Sequence, residues 1–89
     1  MKSKTTSKFW REFASLPVDV QHQAAKAYSE WRADPRHPSL HFKPVIRSQP
    51  PVYSIRIGIH HRALGRLDGD AVTWFWIGSH DEYERLLKG

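Results

Sequence analysis

The amino-acid sequence predicts a single α+β domain over residues 1–89, in which an N-terminal helical hairpin packs on one face of a small antiparallel β-sheet and a short helix ends the chain. Apolar residues recur at helical spacing in the first third, alternate with polar residues in the middle, and are followed by a helix-capping signal near the end. Helices segregated from a run of strands are typical of α+β domains. We expect the second face of the sheet to stay open and to carry arginines.

Two helices are predicted before residue 34. The first spans residues 7–16, with Thr6 or Ser7 as its cap, and repeats large apolar side chains at helical spacing: Phe9, Trp10, Phe13 and Leu16. Pro17 suits the first turn of the second helix. That helix carries one apolar stripe, which we expect to pack in the core rather than bind a cofactor: Val20, Ala24, Ala27, Tyr28 and Trp31.

The remainder of the chain reads as strands followed by a last helix. Isoleucines and Tyr53 alternate with polar residues, so Arg56 faces away from the core. Asp68 and Gly69 form a strong hairpin-turn signal, because both tolerate positive φ. The predicted strands are residues 40–46, 53–60, 62–67 and 72–77, with a rigid loop at 47–51 and a helix at 80–88.

Charge and composition narrow the class of partner. The net charge of +5 and the pI near 9.9 favour an anionic partner such as nucleic acid or an acidic protein. The chain has no cysteine, which excludes disulfides and thiolate chemistry and fits a cytoplasmic location. We expect no membrane association, because no apolar run approaches the roughly 20 residues that span a bilayer.

His80 is the first candidate for chemistry. Ser79 and Glu82 have the spacing of a capping box, so the last helix is expected to begin there with His80 in its first turn. The positive end of the helix favours a neutral imidazole, whereas the neighbouring acidic residues favour a charged one, and the sequence leaves the balance open. Tyr83 lies on the same side of this helix.

Arg56 and Arg62 are the second candidates. On neighbouring strands, two guanidinium groups can face one phosphate and would then stabilise the charge that builds on it in a transition state. Lys43 and Arg47 add positive charge from the preceding strand. The alternative is a solvated strand face with no specific role.

Metal and cofactor chemistry are not expected. Adjacent strand residues such as His60 and His61 point to opposite faces, and no carboxylate close in sequence completes a metal site. A nucleophile elbow and a phosphate-binding glycine loop are also absent from the sequence.

Taken together, several segments resemble the RelE/ParE superfamily of type II toxin–antitoxin toxins. Their order and spacing carry the resemblance: residues 13–17, 24–28, 34–40, 53–57, 61–64 and 74–83. The resemblance implies a RelE/ParE-like fold, a cognate antitoxin, and for RelE-like members cleavage of mRNA on the ribosome without a metal or cofactor. It implies transition-state stabilisation by Arg62 and acid or base catalysis by His80. Tyr83 is then expected to orient the RNA by stacking or by a hydrogen bond, while Lys43, Arg47 and Arg56 hold its backbone.

Two departures leave other functions open. The chain has fewer lysines and arginines in its active region than RelE, and its loop at 49–51 differs from that of many relatives. ParE-like members share the fold but inhibit DNA gyrase. We therefore expect an mRNA interferase, with a gyrase inhibitor or a catalytically inactive, toxin-like interaction domain as the alternatives.

Overall fold

The computed structural model describes residues 1–88 and has three α-helices, one 3₁₀ turn and five strands. The helices are α1 (Ser7–Ala14), α2 (Val18–Ala33) and α3 (His80–Lys88), with the 3₁₀ turn at Pro38–Leu40. The strands are β1 (Lys2–Thr5), β2 (Lys43–Ile46), β3 (Val52–Ile57), β4 (His61–Asp68) and β5 (Ala71–Ser79). The predicted α+β class, with an N-terminal helix pair and a short C-terminal helix, is confirmed.

The sheet has the order β1-β5-β4-β3-β2. Four strands pair antiparallel as predicted, but β1 runs parallel to β5 and makes the sheet a mixed one. Strand β1 has no counterpart among the predicted strands. Its residues are mostly exposed and show no apolar alternation, so the sequence carries no strand signal there. The segment is a strand because its backbone pairs with β5, and Lys2 N–H donates to the adjoining Asp70 carbonyl at 2.7 Å.

The first predicted strand begins later than expected. Residues 38–40 form the 3₁₀ turn, and His41 has a φ of 48°, in the left-handed region. Because a strand cannot continue through that conformation, β2 starts only at Lys43.

Helices α1 and α2 pack on one face of the sheet. Trp31 of α2 is fully buried and meets Trp74 of β5 and Phe42 edge to face, with ring centroids 5.3 and 5.9 Å apart. Ile55 and Ile57 of β3 complete the centre of this core. Four residues of the predicted α2 stripe are thus buried as expected, whereas the fifth, Tyr28, remains 41% exposed.

The second face of the sheet is only partly open. Helix α3 covers part of this second face, and its residue Tyr83 is buried against Val52, Leu64 and Trp76. The expectation of a fully open second face was therefore wrong. The part of this face near the beginning of α3 stays accessible and carries the arginines. Over the described residues, no helix combines the length and apolarity needed to cross a membrane.

Candidate functional site

Arg56 and Arg62 lie directly opposite each other on strands β3 and β4. Side chains of such a cross-strand pair stand on the same face of the sheet, about 4.5–5.5 Å apart at Cβ. Like charges in that position destabilise a sheet. An anion between the two guanidinium groups would relieve this repulsion, which makes the pair a candidate anion site.

Each arginine is held by one hydrogen bond to the backbone. Arg62 Nη1 donates to the His61 carbonyl at 2.7 Å, and Arg56 Nε donates to the Gly58 carbonyl at 3.0 Å. A guanidinium has five N–H donors, so most of them remain for a ligand. Burial, and then repulsion from Arg56, lower the pKa of Arg62, while Tyr83 and Glu84 act in the opposite direction.

The capping box at the beginning of α3 is present as predicted. Ser79 N and Oγ both donate to Glu82 Oε1 at 3.0 Å, and Glu82 N donates back to Ser79 Oγ at 3.1 Å. These bonds, from the Ser79 backbone and then its side chain, hold the pKa of Glu82 below its ordinary value. Because β5 ends at Ser79 and α3 begins at His80, the imidazole is attached directly to the sheet.

The His80 ring is oriented by its own helix. Its Nε2 lies 3.2 Å from Glu84 Oε1, one helical turn further along. The Tyr83 ring lies 5.8 Å from it, centroid to centroid. If Nε2 donates to the Glu84 carboxylate in the neutral ring, the lone pair on Nδ1 is the free acceptor.

Tyr83 reaches the site through its hydroxyl. The residue is only 7% exposed, so its ring has no free face on which a base could stack. The hydroxyl points to Ser54 Oγ at 3.5 Å. Of the two modes expected for Tyr83, this geometry is compatible with the hydrogen bond.

These side chains line one pocket of about 150 Å³ on the accessible part of the second sheet face. We call it the open-face pocket; its residues are His41, Lys43, Ser54, Arg56, Arg62, His80, Tyr83 and Glu84. Five of the six predicted site residues are brought together here. Arg47 is the exception, since it follows the end of β2, is exposed and does not line the pocket.

Three lining residues were not predicted. Ser54 could have been found, because it precedes Arg56 by two positions on the same face of β3. Glu84 could also have been found from its i+4 spacing to His80. The placement of His41 depends on its left-handed backbone, which no sequence signal announces.

No group of three or more histidine, cysteine, aspartate or glutamate side chains is arranged to hold a metal among residues 1–88. His61 is half-buried, and burial followed by repulsion from His60 lowers its pKa.

The open-face pocket has the chemistry of a small anion site. Lys43, Arg56 and Arg62 supply cations, His80 an imidazole, and Tyr83 a phenol. Its volume is below the roughly 300–1,000 Å³ of pockets for drug-sized ligands. It therefore suits one charged group, such as a single phosphate of a longer chain, rather than a whole nucleotide.

The paired-helix layer on a small sheet, with a last helix across the other face, is a fold shared with solved structures of toxins and of toxin–antitoxin complexes. The fold matches the RelB–RelE antitoxin–toxin complex from Methanococcus jannaschii with a TM-score of 0.73 at 13% identity, over 93% of this chain and 96% of that chain. It matches the toxin–antitoxin complex RelBE2 from Mycobacterium tuberculosis with a TM-score of 0.69 at 22% identity, over 89% and 96%. It matches the YoeB/ParE toxin from Agrobacterium tumefaciens with a TM-score of 0.68 at 16% identity, over 90% and 99%.

The sequence narrows the class further. Residues 18–85 match the family model of the ParE-like toxin domain, and the chain belongs to that family. Among curated proteins, no sequence matches significantly. At the identities given above, the solved structures are evidence for the fold alone.

Proposed function

We propose that the chain is the toxin of a type II toxin–antitoxin module and acts as an mRNA interferase, an endonuclease that cuts ribosome-bound mRNA without a metal ion. The observation that carries the proposal is the convergence of Arg56 and Arg62 with His80 in the open-face pocket. Two guanidinium groups match the oxygens of a phosphodiester, and an imidazole beside them supplies proton transfer.

The reaction is a transfer within the RNA chain. The ribose 2′-oxygen attacks the adjacent phosphorus and forms a cyclic phosphate, while the bond from phosphorus to the 5′-oxygen of the next nucleotide breaks. One group takes the proton from the 2′-hydroxyl, and another gives a proton to the leaving oxygen. His80 fills one of these roles, and the free Nδ1 that results when Nε2 donates to Glu84 suits it as the base.

The remaining pocket residues bind and orient the substrate. Arg62, which is anchored to the His61 carbonyl, stabilises the charge on the phosphorane. Arg56 and Lys43 hold the phosphate before the reaction, and the Tyr83 hydroxyl positions the RNA. Arg47 contacts the backbone outside the open-face pocket.

A cognate antitoxin is the proposed protein partner. The solved complexes from M. jannaschii and M. tuberculosis contain a toxin with its antitoxin. A segment with acidic side chains over Arg56 and Arg62 would satisfy the like-charged pair and exclude RNA from the open-face pocket.

Expression of variants in cells tests the activity. We expect a block in translation with mRNA cut within codons, and we expect Arg62→Ala and His80→Ala each to reduce cleavage by about 10²–10³-fold. Arg66→Ala is the matched control for Arg62, since Arg66 lies on the same strand but outside the open-face pocket. Cleavage that survives both pocket variants would contradict the proposed mechanism.

Gyrase inhibition is the second candidate, because the matching family model is that of the ParE-like toxin domain. DNA supercoiling measured in the same cells separates the two. Loss of supercoiling with intact mRNA would favour a gyrase inhibitor, and no effect on growth would favour an inactive interaction domain.

A further inference from the structure

The end of strand β3 next to the open-face pocket is not paired with β2. The ladder between β2 and β3 runs from Ile46 and Val52 to Lys43 and Ser54, so the β3 residues after Ser54 have no partner in β2. The 3₁₀ turn packs beside them instead. Arg56 lies on this free stretch and is therefore accessible from the sheet face and from the edge.

A second cavity, of about 340 Å³, opens at that edge between α2, the 3₁₀ turn and the end of β3. We call it the edge cavity; the lining residues that matter here are Lys26, Glu30, Ser39, Leu40, Arg56 and Ile59. Arg56 lines both cavities. The chain segment that separates them is short, because Leu40 lines the edge cavity and His41 lines the open-face pocket.

Arg56 is fixed at the border between the two cavities. Its Nε donates to the Gly58 carbonyl at 3.0 Å, within a turn that Gly58 makes possible with a φ of 57°. A Cβ at that glycine would come within 2.5 Å of the Gln23 amide oxygen. The Arg56 guanidinium can therefore contact a ligand in the open-face pocket or in the edge cavity.

The edge cavity has the chemistry of a site for a flat, partly apolar group. Ile59 is 63% exposed, which is unusual for an isoleucine, and Leu40 forms a fully buried floor. Glu30 and Ser39 bring polar atoms to the wall, with Ser39 Oγ donating to Glu30 Oε2 at 3.0 Å. Lys26 adds a cation, and the volume falls in the range of ligand pockets, roughly 300–1,000 Å³.

We propose that the edge cavity binds one unpaired nucleobase of the RNA strand whose phosphate occupies the open-face pocket. When Arg56 and Arg62 hold a phosphate, the neighbouring base lies next to the edge cavity, because Arg56 lines both cavities. The base must be unpaired, since a base inside a duplex cannot enter a side cavity. The inference rests on the proposed RNA binding and adds a nucleotide-binding site to it.

Short single-stranded RNA with an uncleavable 2′-deoxy linkage tests the edge cavity. One abasic nucleotide is moved along the strand, and affinity is measured at low salt. Loss of the base at one position next to the uncleavable linkage should weaken binding about tenfold, as for other single-strand base contacts. Ile59→Ser should weaken binding of the intact strand by a similar factor and should abolish the effect of the abasic position.

The chain offers matched control variants for the apolar and for the charged residues of the edge cavity. Val18→Ser removes an apolar side chain that is equally exposed, at 64%, but lies outside the edge cavity. Lys26→Gln should weaken binding, whereas Arg32→Gln on the same helix should not.

The possible failures are distinguishable. If RNA binds and Arg62→Ala weakens it, but no abasic position matters and Ile59→Ser behaves like Val18→Ser, the base site is wrong and the proposed function stands. If single-stranded RNA does not bind at low salt, the base site is overturned, whereas the proposed function is decided separately by the cleavage assay in cells.

Discussion

At the scale of single residues, the Glu82 carboxylate has a defined effect on the beginning of α3. It accepts two hydrogen bonds from Ser79, which favour its ionised form in the folded protein. The folded-state pKa is therefore lower than the unfolded one. This contribution to stability is fully present above the ordinary value of 4.5 and is lost as the pH falls through the folded-state pKa.

We expect Glu82→Ala to lower the free energy of unfolding by about 1 kcal/mol at neutral pH, since a capping box is lost. Glu82→Gln retains an acceptor but does not titrate, so its difference from the wild type should shrink as the pH falls below 4.5. Urea unfolding across a pH series measures both effects. Asp81→Asn, an exposed first-turn neighbour without the Ser79 bonds, is the control.

The sequence predicts individual site residues where a local rule places them. The capping box located His80, and strand alternation placed Arg56 on the accessible face. Strand alternation does not place Arg47, because a β-bulge between Pro44 and Ile46 disturbs the alternation and β2 ends at Ile46. Its role as an RNA contact remains a prediction.

At the scale of elements, strands β3 and β4 contribute to the core and also place two like charges, Arg56 and Arg62, directly opposite each other. We expect Arg62→Leu to raise the free energy of unfolding by up to about 1 kcal/mol, because it removes the repulsion from Arg56. The same change should abolish cleavage. Urea unfolding measures the stability of this variant and the cleavage assay its activity. Higher stability with lost cleavage would show that Arg62 is kept for function at a cost in stability.

The comparison variant is Arg66→Leu on the same strand. The Arg66 guanidinium lies 4.0 Å from the centre of the Phe75 ring, so its loss should destabilise the fold by about 0.5–1 kcal/mol. Equal losses of stability in the two variants would contradict the electrostatic argument.

The junction between β5 and α3 depends on Gly78. A Cβ there would lie 2.6 Å from the Trp76 ring, which is buried under α3. We expect Gly78→Ala to cost about 1–3 kcal/mol through overpacking and to reduce cleavage, since His80 is attached just beyond it.

Thermal unfolding and cleavage per folded molecule check this prediction. Gly69→Ala is the control, because it strains a turn with a φ of 60° that has open space around it. That variant should lose stability while its cleavage per folded molecule stays unchanged.

The elements themselves differ in how far the sequence predicts them. Both N-terminal helices and the last helix follow from caps and apolar spacing, since those signals are local. Strand β1 forms only by pairing with β5, which is distant in sequence. The position of α3 on the sheet depends on Tyr83, which packs against residues of three different strands. Such non-local pairings cannot be read from a short window of residues.

At the scale of the whole molecule, the net charge of +5 predicts that the proposed RNA binding depends on salt. If the open-face pocket neutralises one phosphate and Arg47 a second one outside it, the logarithm of affinity should fall with the logarithm of salt at a slope of about −1.4. Arg47→Ala should reduce the magnitude of that slope by about 0.7. Titrations at several salt concentrations measure it, and a flat dependence would contradict backbone binding.

The direct passage of β5 into α3 has a consequence for regulation. With no loop between Ser79 and His80, the backbone of His80 is held at the end of the sheet, and no segment has to fold to bring it into place. In the proposed mRNA interferase, inhibition would then come from a bound molecule such as the proposed antitoxin. The relative lifetimes of the two proteins in the cell would decide when the site is uncovered.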